Sequence, residues 1–212
     1  SRNTALAVHA TPQLPLTGRV RSKVHTVLSV GASMRVQDRN PSLIAIGNGG
    51  TAGSWNNDDG NLNYGKGDLF SGAAKALHEL DLKYKNLGLF GRFFYFYDPV
   101  IMNTDTDRTK LSDTAELVNG RDGELLDLYG SVNFEVAGSD ITIKAGNQVL
   151  NWGESTFIPN GINVINPVDV AKLRVAGAEI KEALLPIPAL DVRVGLGKKF
   201  SVEAFYQFRF EN

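Results

Sequence analysis

Cysteine is absent from this chain of 212 residues, which excludes a disulfide framework, thiol chemistry and thiolate-bound zinc together. Charge of one sign is equally scarce. The 22 Lys and Arg residues balance 23 Asp and Glu, and without clustered positive charge a nucleic-acid partner is discounted. Long apolar runs are missing too: no stretch of roughly 18 apolar residues occurs, so no transmembrane helix is expected, although a membrane-spanning β-strand would escape that test. Histidine is confined to His9, His25 and His78, and no G-x-S-x-G nucleophile motif occurs. Glu154-Ser155 beside Trp152 therefore reads as loop packing rather than as a catalytic pair, and the chain is read as a non-enzyme without catalytic residues or a metal site.

What the chain has is alternation. From 24 to 36 the even positions are Val, Thr, Leu, Val, Ala, Met, Val, while the odd ones include His25, Ser29, Ser33 and Arg35. One face is apolar and the other polar, the mark of a strand with two different surroundings. The same period returns in 72–84, 124–136, 141–150, 189–196 and 200–210. With the aromatic segment 87–98, which contains FFYFY, seven strands are predicted. Most run to about ten residues, longer than the five or six usual in soluble domains.

The connections sort by length. Lys85-Asn86-Leu87-Gly88, Ala137-Gly138-Ser139-Asp140 and Gly197-Lys198-Lys199 are tight turns, whereas 39–71, 99–123 and 151–188 are long and rich in Gly, Asn, Asp and Pro. Short turns on one rim and long loops on the other characterise outer-membrane barrels, with the short turns in the periplasm and the long loops outside the cell. The fold expected is all-β: an antiparallel transmembrane β-barrel, of which these seven strands form an incomplete arc, since closed bacterial barrels use an even number. The missing wall belongs to a larger barrel, to other subunits sharing one barrel, or, least favoured, to residues 1–20. That N-terminal segment, 1–20, carries Pro12 and Pro15, and TALAVHA (4–10) ends like a signal-peptidase site, so it reads as a flexible segment or the remnant of an export signal. Residues 21–212 are the barrel portion.

Apolar stripes facing lipid leave an inward set of both signs: His25, Arg35, Lys75, Glu79, Arg92, Asp127, Glu135, Lys144, Arg193, Glu203 and Arg209. Interleaved charges predict paired ladders around a weakly selective path. Phe94 and Phe96 add a less polar inward patch, while Tyr95 and Tyr97 fall at the long-loop end, where an interfacial girdle belongs. His78 interrupts the apolar face and is expected near a rim or neutral. In the long loops, Trp55, Asp58, Asp59, Tyr64, Trp152 and Glu154 stand out. GNGGTAG lacks the Lys-Ser/Thr of a phosphate-binding loop. Oxygen ligands at 56–68 admit Ca²⁺ as a minor alternative to no cofactor, but the spacing departs from an EF-hand. Glu179, Glu182 and the PIP at 186–188 predict a structured re-entry into the strand that follows.

The motifs GNGGTAGS, DDGNLNY, DRTKLSD, GRDGELLD, NWGESTFIPNGINVINPVDV and AEIKEALLP occur in that order from about Arg35 onward. With them the chain resembles a proteobacterial outer-membrane family, domain of unknown function thirteen-oh-two, matching the N-terminal part of a longer sequence. The resemblance implies an exported β-barrel of a Gram-negative outer membrane, often found with hydrophobic-compound export systems of the resistance-nodulation-division type. It implies no catalytic residue. The function expected is a channel or passage for small or hydrophobic compounds, surrounded by the lipid bilayer, further strands or subunits, and export components. A secreted β-sandwich binding module and an outer-membrane scaffold that docks partners through its loops are the alternatives.

Overall fold

The computed structural model of the chain describes residues 2–10, 20–152, 165–175, 178–197 and 199–210. In chain order the strands are β1 (Arg2–Ala10), β2 (Val20–Met34), β3 (Leu69–Ser71), β4 (Ala74–Tyr84), β5 (Leu87–Tyr97), β6 (Arg121–Val136), β7 (Ser139–Gln148), β8 (Ile187–Leu196) and β9 (Phe200–Gln207). Apart from the short β3, which adds to the end of β2, they form one antiparallel sheet in the order β1-β2-β4-β5-β6-β7-β8-β9, curled into half a barrel. Among the described residues, four short α-helices sit in the long connections: α1 (Asp59–Leu62), α2 (Pro99–Asn103), α3 (Asp113–Gly120) and α4 (Ile180–Ala183). None of the described helices is long and apolar enough to cross a membrane.

All seven expected strands form, and the sorting of connections holds. The turn between β6 and β7 has Ala137 and Gly138 both at positive φ, 52° and 78°, the backbone that a two-residue hairpin needs to match strand twist. An eighth long strand is new. Residues 2–10, read above as tail or export-signal remnant, pair with β2 from Arg2↔Met34 to Ala10↔Thr26. Pro12 and Pro15 follow this strand in sequence and do not interrupt its ladder.

The sheet is inside out relative to a soluble protein. Along β5, Phe93, Tyr95 and Tyr97 on the convex face are exposed, whereas Arg92, Phe94, Phe96 and the following Asp98 on the concave face are buried. Leu28, Val30 and Met34 of β2, Leu128 and Phe134 of β6, and Val202 and Tyr206 of β9 continue the exposed apolar surface. The core lies on the concave side. Val27, Leu77, Phe94, Phe96 and Leu126 make one cluster, and Leu150, Ile187 and Ala189 make a second.

Leu126 departs from the expected alternation, which put it on the apolar outer stripe. A bulge between Arg92/Phe93 and the facing strand pairs Arg92 with Asp127 but Phe93 with Leu125. The extra residue reverses the phase, so Leu125 is 51% exposed outside and Leu126 is fully buried inside. Leu126→Ala is therefore expected to lower unfolding stability by about 2–5 kcal/mol, as core Leu truncations do, and Leu125→Ala by clearly less. Denaturant titration of both variants tests the bulge, and equal losses would contradict it.

Candidate functional site: the charged concave wall and its infolded segment

Strand pairing sets opposite charges side by side on the concave wall. Glu79 pairs in register with Arg92, and Arg92 with Asp127, giving an alternating row across β4, β5 and β6, with His25 of β2 in register beside Glu79. His25 Nδ1 lies 3.2 Å from Glu79 Oε2, and Arg92 and Asp127 form a buried ion pair. Asp127 also accepts the Val149 amide at 3.1 Å. A second group follows on β7 to β9, where Lys144 approaches Asp191 at 3.7 Å and Arg193 Nε donates to Glu203 at 2.8 Å. Trp152 covers this group, donating its indole N–H to Glu203 at 2.7 Å and packing 5.2 Å from Phe205. Directly opposite unlike charges stabilise neighbouring strands and fix their register.

Three inward residues sit elsewhere than on an open wall. Arg35 lies past β2, donating to the carbonyls of Gln37 and Asn61 and so bracing the first long loop. Glu135 is exposed near the short-turn rim opposite Asp140. Arg209 is exposed beyond β9, where its carbonyl accepts from Gln207.

The upper part of the concave face is filled by the third long connection. Residues 165–175 and 178–186 turn inward before β8 begins, the structured re-entry that the sequence led us to expect. Lys75, a wall residue, is buried by this segment and donates to Glu182 of α4 at 2.5 Å, with both side chains at most 3% exposed. Lys172 pairs with Glu124 of β6 and lies 5.6 Å above the ring of Phe94. Lys181 reaches Glu79 at 3.9 Å, and Leu185 packs on the cluster around Phe94. Phe94 is thereby covered rather than presented to a passing solute, while Phe96 borders a cavity at the long-loop mouth. Glu124 and Lys172 escaped the sequence reading, and Glu182 was picked out only as part of the re-entry and not as a partner of Lys75, because the paired residues lie 48 and 107 positions apart. The adjacent leucines 125 and 126 were the one local sign that Glu124 faces inward.

The rim loops are cross-braced. Asp58, held in the left-handed region at φ 56°, accepts from the Ala45 amide at 2.7 Å and from Asn48 at 2.8 Å. Those two hydrogen bonds, Asn48 first, hold its carboxyl below the usual carboxylate range. Asp59 accepts from Thr109, Asn63 accepts from the Thr109 amide, and Arg39 bridges to Asp107 at 2.7 Å, joining the first two long loops. The GNGGTAG stretch is a pair of tight turns: Gly49 has φ 89°, and a Cβ on Gly50 would lie 2.0 Å from the Ile44 carbonyl oxygen. Asp58, Asp59 and Asn63, among the oxygens considered for Ca²⁺, thus accept from loop donors, and among the described residues no group of three or more His, Asp or Glu converges on a metal position. Tyr64 packs 5.9 Å from Phe70, and its phenol is pushed up by burial and then by the charge of Asp98. Trp55 is fully exposed. Glu154 lies outside the described residues.

On the convex side, Tyr95 and Tyr97 sit at the long-loop end as expected. His78 is mid-strand rather than at a rim. Its Nδ1 is 2.9 Å from the Thr26 hydroxyl, and its Nε2 is 3.4 Å from that of Tyr95, so neighbours on the same face satisfy it.

A family model described as protein of unknown function (DUF1302) matches residues 3–212. The chain belongs to this family. No curated protein and no solved structure matches it. The matching family is the one that the motifs pointed to, and the structure gives it here a half-barrel sheet with an infolded third connection.

Lys75→Met leaves Glu182 buried without its counter-charge, a loss of about 3–5 kcal/mol for such pairs. The expected result is rapid proteolysis within 165–186 in that variant and recovered resistance in Lys75→Met/Glu182→Leu. Unchanged cleavage in the single variant would show that the pair does not anchor the segment.

Proposed function

We propose that this DUF1302 chain forms part of an outer-membrane β-barrel in a Gram-negative bacterium, serving as a passage for small or hydrophobic compounds. The observation that carries the reading is the inverted polarity of the sheet: exposed Leu, Val, Phe and Tyr on the convex face, ion-paired side chains on the concave one. An apolar surface of that extent is unstable in water and matched to acyl chains. Strand lengths of 8–16 residues among β1, β2 and β4 to β9 fit a hydrocarbon span crossed at a tilt. A soluble β-sandwich would need a second sheet over the convex face, whereas the described strands make one sheet.

Among the described residues, β1 and β9 each pair on one side only. An unpaired edge in hydrocarbon leaves backbone groups unsatisfied at several kcal/mol each. Further strands or other subunits therefore complete the wall, with the bilayer around it and export-system components as the partners at the rims. Catalysis has no place in this reading. Loop-mediated docking of a partner is the second reading, favoured by the fully exposed Trp55 on a cross-braced rim.

The test is planar-bilayer conductance of the native gene product, purified in detergent, together with its gel mobility before and after boiling. Stepwise conductance with little preference between small cations and anions is expected, because both signs line the wall. A protein that neither conducts nor shifts on heating would overturn the proposal.

A further inference from the structure

At the long-loop mouth of the concave face, a cavity of about 320 Å³ opens between the rim helices and the infolded segment. Most of its exposed surface is apolar, contributed by Phe70, Phe96, Ile101, Val118, Ala171 and Val175. Pockets of this size with mostly apolar linings and a few placed polar groups are the usual form of small-molecule sites.

The polar groups are acidic in excess: three carboxylates, Asp98, Asp122 and Asp169, face one ammonium, Lys172. They are not equivalent. Asp98 is 1% exposed and accepts from the Ser71 hydroxyl and the amides of Gly72, Val100 and Ile101, so it caps α2 and has no capacity left for a ligand. Lys172 is held by Glu124 and lies 4.0 Å from Asp169, which withdraws it from any incoming anion. Asp122 sits beside Phe96 in the strand register and is exposed, its Oδ1 accepting only the adjacent Gly123 amide. Asp169 has Oδ1 engaged by the Ala171 and Lys172 amides. One accessible carboxylate and a second partly compensated one therefore border two phenylalanine rings, a combination that attracts a cation with an apolar body through charge and cation–π contact.

We propose that this mouth cavity binds cationic amphiphiles, the ammonium between Asp122 and Asp169 and the apolar body against Phe70 and Phe96. This rests on the passage reading and names its substrate class. Benzyltrimethylammonium is a suitable probe and benzenesulfonate its anionic counterpart, titrated calorimetrically into the native protein in lipid nanodiscs, with empty nanodiscs as the blank. The cation is expected to bind saturably, and Asp122→Asn/Asp169→Asn to weaken it at least about tenfold. Asparagine keeps the cap at 169, and retained heat-shifted gel mobility confirms folding. Sulfonate binding as tight as the cation's, an unchanged affinity in the double variant, or no saturable binding of the cation would each overturn the proposal. Binding is read without conduction. A protein that binds the probe but passes no ions keeps the cavity and loses the passage, and one that conducts without binding does the reverse.

Discussion

Everything in this structure depends on which face of the sheet meets which solvent. A strand alternates its side chains with period two, and lateral hydrogen bonds satisfy its backbone, so the only freedom left is the polarity of each face. Here the convex face is apolar and the concave face charged, along strands that pair in one continuous antiparallel order. The ion pairs follow from that choice. Charges gathered on a concave wall repel unless signs alternate across strands, and the row Glu79, Arg92, Asp127 alternates.

The infolded segment answers a second constraint. A half-barrel interior made only of charged ladders would leave Val27, Leu77 and Phe94 against water. Covering them with Leu185 builds a core of a size that the strands alone do not provide. Two ion pairs, Lys75 with Glu182 and Lys172 with Glu124, join that cover to the wall at positions where a lysine or a carboxylate would otherwise be stranded in an apolar setting. The same cover supplies one side of the mouth cavity, so a single loop both narrows the interior and shapes its entrance.

Much of this was legible in the residues, and what was not has physical reasons. Alternation located seven strands and the faces of His25, Lys75, Arg92, Lys144 and Glu203, because period two is a local property. Loop lengths separated the two rims for the same reason. The strand at 2–10 was hidden because its ending reads as a cleavage site and prolines follow its last pair in sequence. Leu126 was misplaced because a bulge changes phase without changing composition, although two adjacent leucines mark the spot. Glu182, Lys172 and Glu124 depend on contacts between distant segments, which periodicity does not reveal. Trp55 and Asp58 stood out by residue type, but only the folded loops show one fully exposed and the other tied to Ala45 and Asn48.

The central claim is tested most directly by single-cysteine spin labels along β5 of the native protein in liposomes, to which these 212 residues contribute no other thiol. Labels at 89, 93 and 95 are expected to relax with oxygen dissolved in lipid and to resist a water-soluble nickel chelate, while labels at 88, 90 and 92 show low oxygen accessibility. Chelate accessibility on both sets, or shielding of 89, 93 and 95 from both reagents by a second protein layer, would contradict a lipid-facing convex wall.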